Sequence, residues 1–211
     1  MYKHIVKRFF DIAISGTALV LLAVPMLFIA AAVKLDSKGP VFFKQKRVGI
    51  HKTHFEMLKF RTMYTDTPAD APTHLLKDAK SCITKVGAVL RKTSLDELPQ
   101  LINILRGDMS IIGPRPALWN QYDLIEERDK YDANDILPGL TGWAQINGRD
   151  ELEIPVKAKF DGEYTKALNA GRGKGLWMDI RCFFGTFVSV LRSDGIVEGG
   201  TGELNKKEVE I

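Results

Sequence analysis

Cysteine and histidine are scarce in this 211-residue chain, which contains two cysteines and four histidines. Cys82 and Cys182 lie about a hundred residues apart, and neither belongs to a CxxC motif, which argues against both a disulfide framework and a zinc site. His51 and His54 lie in a turn-like stretch without further ligands, so a solvated surface position is the better interpretation. The cysteine usage fits a reducing, cytoplasmic environment.

The chain also lacks dense basic clusters interleaved with aromatic residues, the pattern typical of nucleic-acid binding. The formal net charge is only +4. Such an excess suits nucleic acid, anionic lipid or phosphate-bearing substrates, and charge alone does not choose among them. No DxD motif of the kind found in nucleotide-sugar glycosyltransferases is present.

One segment, residues 12–33, has no charged residue at all. It reaches the roughly 20 apolar residues that a membrane-crossing helix needs, and it exceeds the apolar part of a cleaved signal peptide. Pro25 lies near its middle, where it should bend or break the helix. Lysines and arginines flank both ends and resist translocation. Two topologies stay open, namely a helix that turns at Pro25 and leaves on the side it entered, and a kinked single span.

The remaining chain predicts a mainly helical α+β domain with a small β-hairpin. Two segments rich in β-formers, residues 41–48 and 55–63, are separated by a turn. The predicted helices are residues 84–92, 95–106 and 118–131, and residues 138–149 are predicted to form a glycine-punctuated loop. A second apolar stretch, residues 176–191, either lies in a membrane interface or completes the core.

The strongest local signal is Ser94-Leu95-Asp96-Glu97, which matches a capping box with Ser94 as the N-cap. By itself this pattern predicts only a helix start, whose dipole favours both acids. Pro99 comes late for a first-turn proline. The helix therefore either kinks there or begins later, leaving Asp96 in the preceding turn.

Basic residues near these acids favour a functional site. Arg91 lies just before them. Arg115 lies between Pro114 and Pro116, which hold it on a stiff, extended loop suited to bidentate phosphate binding. A helix N-terminus beside several arginines is an anion site, and carboxylates there could serve as nucleophile, base or Mg²⁺ ligand.

Six stretches together resemble the monotopic phosphoglycosyl transferases, the bacterial sugar transferase family that initiates capsule, O-antigen and glycoprotein glycan assembly. They follow the family's order over most of the chain, which makes the set specific. The stretches are KRFFD at 7–11, GPVFFKQ at 39–45, KFRTM at 59–63, LRKTSLDELPQL at 90–101, GDMSIIGPRP at 107–116 and PGLTGWAQ at 138–145.

The resemblance implies a monotopic enzyme on the cytoplasmic face of the bacterial inner membrane, dependent on Mg²⁺ and acting by double displacement. Its segments would be a re-entrant helix broken at Pro25 (residues 1–36), a catalytic domain with interfacial helices (37–192) and a flexible tail (193–211). Asp96 would be the nucleophile and Glu97 its partner near the metal. The candidates for the substrate and phosphate site are Lys59, Arg91, Arg115 and Arg149. Val24 precedes Pro25 where the family often has serine, so Ser15, Thr17 or the protein body must satisfy the freed backbone groups.

The implied reaction moves a sugar 1-phosphate from a UDP-sugar to polyprenyl (undecaprenyl) phosphate and releases UMP, as the first membrane step of glycoconjugate biosynthesis. The predicted sugar is an N-acetylated deoxy amino sugar, and the predicted partners are both substrates and membrane phospholipid, without nucleic acid. Two other classes stay open. A membrane-tethered basic protein would bind anionic lipid or nucleic acid without a product, and a glycosyltransferase would release UDP.

Overall fold

The computed structural model describes residues 2–67, 81–148, 152–171 and 173–192. The architecture is α+β and mainly helical, as predicted. In chain order the elements are α1 (Lys7–Asp36), β1 (Phe42–Val48), β2 (His54–Phe60), α2 (Lys85–Lys92), α3 (Gln100–Arg106), β3 (Ser110–Ile112), α4 (Tyr122–Asp129), β4 (Gly139–Thr141), α5 (Trp143–Ile146), α6 (Ile154–Asn169) and α7 (Lys174–Arg192). The predicted tail, residues 193–211, lies outside the described residues.

Helix α1 carries the apolar segment. Of the helices in the described ranges, it alone is long and apolar enough to cross a membrane. Val20, Leu21, Leu27 and Phe28 on this helix are each 70% or more exposed. A continuous apolar face of this kind indicates a surface that contacts lipid or another apolar partner rather than water.

Pro25 lies inside α1, and the helix continues through it. The predicted interruption is therefore not a gap in helical structure. Proline removes one backbone donor, and a helix accommodates that loss as a bend. Of the three candidates for satisfying the freed backbone groups, Ser15 is bonded elsewhere, because its buried hydroxyl donates to the carbonyl of Asp11. The re-entrant course of the chain stays a prediction.

The N-terminal part of α1 is fastened to the globular body by two acids. The Lys7 ammonium pairs with Asp179 of α7 at 3.0 Å, and both side chains are nearly buried. The Asp11 carboxylate accepts hydrogen bonds from the Ser110 hydroxyl at 3.0 Å and from the Ile111 backbone N–H at 2.9 Å. These contacts hold the start of α1 against β3 and α7.

The C-terminal end of α1 is fastened to the same body. The Arg61 guanidinium donates to the carbonyls of Val33, at 3.3 Å, and Ser37, at 2.7 Å. The Asp36 carboxylate accepts from the backbone N–H of Val86 at 3.0 Å. The carbonyls that a helix end leaves without partners are thereby bonded, and α1 has both ends on one globular unit.

The predicted hairpin is confirmed in the strands β1 and β2, which pair antiparallel from Phe42 opposite Phe60 to Val48 opposite His54. Met57 of β2 packs with side chains of α3 beneath α1. The hairpin therefore packs against α3, which itself packs against the apolar helix.

The predicted loop at residues 138–149 is wrong in part, because it contains β4 and α5. Strand β4 pairs parallel with β3, with Ser110 opposite Gly139 and Ile112 opposite Thr141. A Cβ on Gly139 would lie 2.1 Å from the backbone nitrogen of Gly113. The glycines that suggested a loop are needed because two backbones approach each other closely here. Helix α6 was not predicted at all.

A buried ion pair joins α4 to α6. The Arg128 guanidinium donates to one oxygen of Asp161 through Nε at 2.8 Å and Nη2 at 2.6 Å. Nη2 also donates to the backbone carbonyl of Arg115 at 2.9 Å. The pair therefore fixes both the helix packing and the backbone that carries a predicted site residue.

We expect Asp161→Ala to destabilise the protein by about 3–5 kcal/mol, because it leaves the Arg128 guanidinium buried without its counter-charge. Thermal and denaturant unfolding in detergent would measure the loss. Glu127→Ala is the matched control, since it removes an exposed ion pair with Lys130 from the same helix α4 and should change stability little. Equal melting temperatures for Asp161→Ala and Glu127→Ala would contradict the conclusion that the buried Arg128–Asp161 pair stabilises the fold.

Candidate active site

Asp96 and Glu97 lie in a 3₁₀ turn, Leu95–Glu97, between α2 and α3. The capping-box prediction is wrong, because Ser94 adopts a left-handed backbone (φ 56°) and its hydroxyl caps no backbone N–H. Helix α3 begins only after Pro99, which agrees with the alternative that leaves Asp96 in the preceding turn. A left-handed serine is a strained conformation, and it directly precedes the two acids.

Glu97 is bound by two cations. Lys59 Nζ donates to Glu97 Oε1 at 2.8 Å, and Arg115 Nη2 donates to the same oxygen at 2.7 Å. Burial acts to raise the pKa of Glu97, but the charges and hydrogen bonds of Arg115 and Lys59 outweigh it and hold that pKa well below its usual range. The ionised form of Glu97 is therefore favoured, and its carboxylate holds two cationic side chains in place.

Asp96 has a different environment although it is the adjacent residue. It is 7% exposed, and its Oδ2 lies 3.8 Å from Lys59 Nζ. Within the described parts of the chain, no hydrogen bond to its carboxylate is found. Burial raises the pKa of Asp96, Lys59 opposes this, and the charge of Glu97 adds to it. A buried carboxylate whose lone pairs are not used in hydrogen bonds is suited to attack an electrophile or bind a cation.

The loop that carries Arg115 is tied to the body through its backbone. Besides the bond from Arg128, the N–H of Gly113 donates to the Thr141 carbonyl and the N–H of Gly139 donates to the Pro114 carbonyl, both at 2.8 Å. The guanidinium is thus held at Glu97 by a loop whose backbone is fixed.

The other predicted site residues lie at different distances from the acids. Arg91 donates to the Thr62 hydroxyl at 3.0 Å and contacts Met63 Sδ at 3.3 Å. Its charge lowers the pKa of Asp96, so it lies near the pair without touching it. Arg149 lies outside the described residues, and its predicted role stays a prediction.

A cavity of about 260 Å³ begins at Glu97 and Arg115. Its walls are mainly apolar side chains of α3, α5 and α7, among them Leu101, Ile146 and Phe183. Gln145 of α5 also lines it. Sequence reasoning did not single out Gln145, and its position within the family-like stretch at 138–145 was the only signal available. One end of the cavity is therefore charged, at Glu97 and Arg115, and the rest is mainly apolar.

The family model described as bacterial sugar transferase matches residues 2–193. The chain belongs to the bacterial sugar transferase family. The uncharacterized sugar transferase EpsL of Bacillus subtilis is 40% identical over 192 residues, which are 91% of this chain and 90% of EpsL. The prediction of a transferase is confirmed by this membership, and the alternative of a binding protein without catalytic function is set aside.

Two relatives with named reactions are longer proteins. The undecaprenyl-phosphate glucose phosphotransferase of Komagataeibacter xylinus is 40% identical over 188 residues, which are 84% of this chain and 34% of that protein. The UDP-glucose:undecaprenyl-phosphate glucose-1-phosphate transferase of Escherichia coli is 40% identical over 190 residues, which are 86% of this chain and 39% of that protein. This bacterial sugar transferase thus spans well under half of either relative.

The opposite pKa shifts of the two acids predict opposite effects on stability. A carboxyl with a raised pKa contributes stability at low pH and loses it as the pH rises through that pKa, so ionised Asp96 is a cost at neutral pH. Glu97, with a lowered pKa, contributes stability above its ordinary value of 4.5. We therefore expect Asp96→Asn to raise the melting temperature at neutral pH and Glu97→Gln to lower it.

Thermal unfolding across a range of pH would test this pair. As the pH falls and wild-type Asp96 takes up its proton, the increase in melting temperature caused by Asp96→Asn should become smaller. The decrease in melting temperature caused by Glu97→Gln should persist down to about pH 4.5, because below that pH the ionised Glu97 of the wild type contributes progressively less stability. A melting temperature for Asp96→Asn below that of the wild type at neutral pH would contradict the environments described.

Proposed function

We propose that this enzyme transfers a sugar 1-phosphate from a UDP-sugar to undecaprenyl phosphate and releases UMP, in a first membrane step of glycoconjugate biosynthesis. The observation that carries the proposal is the unlike pair of carboxylates, because Asp96 has no hydrogen bond among the described residues while Glu97 holds two cations beside it. The names of the two longer relatives describe transfer to undecaprenyl phosphate, and that reaction suits this site.

In the first half-reaction, an Asp96 carboxylate oxygen attacks the β-phosphorus of the UDP-sugar. A bond forms between that oxygen and phosphorus, and the bond from phosphorus to the bridging oxygen breaks. UMP leaves with the electron pair, and Asp96 carries the phosphosugar as an acyl phosphate. Lys59 and Arg115 lie where they stabilise negative charge on the phosphoryl oxygens.

In the second half-reaction, a phosphate oxygen of undecaprenyl phosphate attacks the same phosphorus. The acyl phosphate bond breaks, which restores the Asp96 carboxylate and leaves the sugar on an undecaprenyl diphosphate. Dividing the transfer in this way means that UMP can leave before the lipid reacts. A single small site then serves two bulky substrates in turn.

The net charge of the site favours anionic substrates. Lys59, Arg91 and Arg115 supply three positive charges, and Asp96 and Glu97 supply two negative charges. The excess of one positive charge attracts a diphosphate before any other cation binds. The Glu97 carboxylate also holds Arg115 and Lys59 in place.

Mg²⁺ fits the donor chemistry of the carboxylate pair. Mg²⁺ in phosphate-transfer sites is held by one or two carboxylates together with substrate phosphates and water, so two adjacent acids suffice. In the described part of the chain, no group of three or more His, Cys, Asp or Glu side chains forms an all-protein metal site. Asp96 and Glu97 would hold the ion, which would neutralise charge on the diphosphate.

We further propose that the enzyme is monotopic and lies on the cytoplasmic face of the membrane. Two observations support this topology. Both ends of α1 bind the same globular body, at Asp179 and at Arg61, which a helix ending on opposite sides of a bilayer could not do. Helix α7 also exposes apolar side chains, with Phe184 64% and Phe187 56% exposed, so a second element suits the interface.

The covalent step predicts a phosphosugar on Asp96. Enzyme mixed with Mg²⁺ and a UDP-sugar, without lipid acceptor, should release about one equivalent of UMP and acquire the adduct. Acid quench and mass spectrometry of the peptide from Leu95 to Arg106 would locate it. Asp96→Asn should form no adduct and lose activity, whereas Asp66→Asn, a control outside the site, should behave as the wild type.

Product identity separates this reaction from the alternatives. A wild-type enzyme that turns over well without an adduct or a UMP burst would point to direct transfer in a ternary complex. Release of UDP instead of UMP would indicate a glycosyltransferase and refute the proposal.

The topology predicts that both ends of α1 face the cytoplasm. In a background with Cys82→Ser and Cys182→Ala, single cysteines at Lys3→Cys and Lys38→Cys should resist a membrane-impermeant thiol reagent in intact cells. Both should react after permeabilisation, which serves as the control. Labelling of Lys3→Cys alone in intact cells would indicate a membrane-spanning helix.

A further inference from the structure

Gln145 is an unpaired polar group in the cavity wall. The residue is 8% exposed, and neither its amide nitrogen nor its amide oxygen has a hydrogen-bond partner among the described residues. The same cavity begins at Glu97 and Arg115. A buried amide without partners costs free energy, so its position indicates that a ligand supplies the missing bonds.

The backbone around Gln145 is held on both sides. A Cβ on Gly142, at the start of α5, would lie 2.1 Å from the Gly113 carbonyl oxygen and 3.0 Å from Gln145 Oε1. A Cβ on Gly185 of α7 would lie 2.7 Å from a methyl group of Ile146. These two close contacts fix α5 between the loop of Arg115 and helix α7. The Gln145 amide therefore has a defined position relative to the Arg115 guanidinium.

The side chains of the remaining cavity wall restrict the kinds of ligand that can bind. Leu101, Ile146 and Phe183 surround the amide with apolar surface. Binding sites of this composition use their few polar groups to set orientation and specificity. A polyprenyl chain would fill the apolar surface but would leave both amide atoms without partners. The cavity suits a group that presents a donor and an acceptor side by side on an otherwise flat or apolar body.

On the basis of the proposed function, we propose that Gln145 is a specificity residue that hydrogen-bonds an adjacent N–H donor and C=O acceptor of the UDP-sugar. The primary amide of glutamine offers the complementary acceptor and donor. A UDP-sugar presents this pair on the imide edge of uracil, where an N–H lies directly beside a C=O. The uracil ring also places flat surface against the apolar wall.

The test compares Gln145→Leu with Gln121→Leu, which removes the same amide outside the cavity lining. The ligands are UMP, N3-methyl-UMP, UDP-glucose and UDP-N-acetylglucosamine. Binding is measured by calorimetric titration. All proteins carry Asp96→Asn, which prevents the first half-reaction during the titration. Gln145→Glu is a second variant, which keeps the length and an acceptor but removes the donor.

If the amide binds uracil, Gln145→Leu should weaken UMP binding roughly 10- to 100-fold, because two net hydrogen bonds are lost. N3-methyl-UMP should bind the Gln145 protein more weakly than UMP and bind the leucine variant as well as UMP does. Gln145→Leu should weaken the binding of UDP-glucose and UDP-N-acetylglucosamine by the same factor, because both carry uracil, and Gln145→Glu should also weaken UMP binding because it removes the donor. A loss confined to UDP-N-acetylglucosamine, with UMP bound equally by both proteins, would overturn this inference.

Unchanged binding of all four ligands in Gln145→Leu would also overturn this inference, because the amide would then not recognise uracil. That result would leave the proposed function intact, since the adduct on Asp96 tests it separately. Failure of UMP and both UDP-sugars to bind the protein that retains Gln145 would refute the proposed function and this inference together.

Discussion

The Glu97 carboxylate, bonded to both Arg115 and Lys59, is the interaction on which the site depends. It joins strand β2, the 3₁₀ turn and the loop after β3, which are far apart in the sequence. Two partly buried cations without an anion would repel each other, at a cost in free energy. Glu97 is therefore more than a neighbour of Asp96. It is the counter-charge that allows cationic side chains to lie around the Asp96 carboxylate.

A short series of hydrogen bonds connects the Glu97 ion pairs to the apolar helix α1. Asp11 of α1 bonds the backbone of β3, and β3 ends one residue before Gly113, which begins the loop of Arg115. On the other side, the pair of Arg128 and Asp161 bonds the Arg115 carbonyl. The apolar helix and the carboxylates of Asp96 and Glu97 thus belong to one connected framework. For a lipid-linked substrate, such a framework sets the depth at which its phosphate must meet the enzyme.

Much of the site could be predicted because its chemistry is local. Arg115 between two prolines indicated a presented guanidinium, and a predicted helix start beside several arginines indicated an anion-binding site. The capping box failed at Ser94 because a local pattern competes with tertiary packing, which here imposes a left-handed turn. The β3–β4 pairing was missed because it depends on a long-range contact between Gly113 and Gly139, which composition cannot distinguish from a loop. Gln145 was missed for the same reason, since its missing partners become visible only when the surrounding side chains are known.

The unlike environments of Asp96 and Glu97 show how neighbouring residues of similar chemistry acquire different tasks. A tight 3₁₀ turn directs consecutive side chains to different surroundings, so the Glu97 carboxylate is hydrogen-bonded to two cations while the Asp96 carboxylate is buried beside charges that do not bond it directly. A regular α-helix starting at Ser94 would have bonded the same acids to its own N-terminal N–H groups and used their lone pairs for capping. The strained turn therefore has a chemical consequence. It keeps the carboxylate of Asp96 out of a helix cap and leaves its oxygens without a hydrogen bond among the described residues.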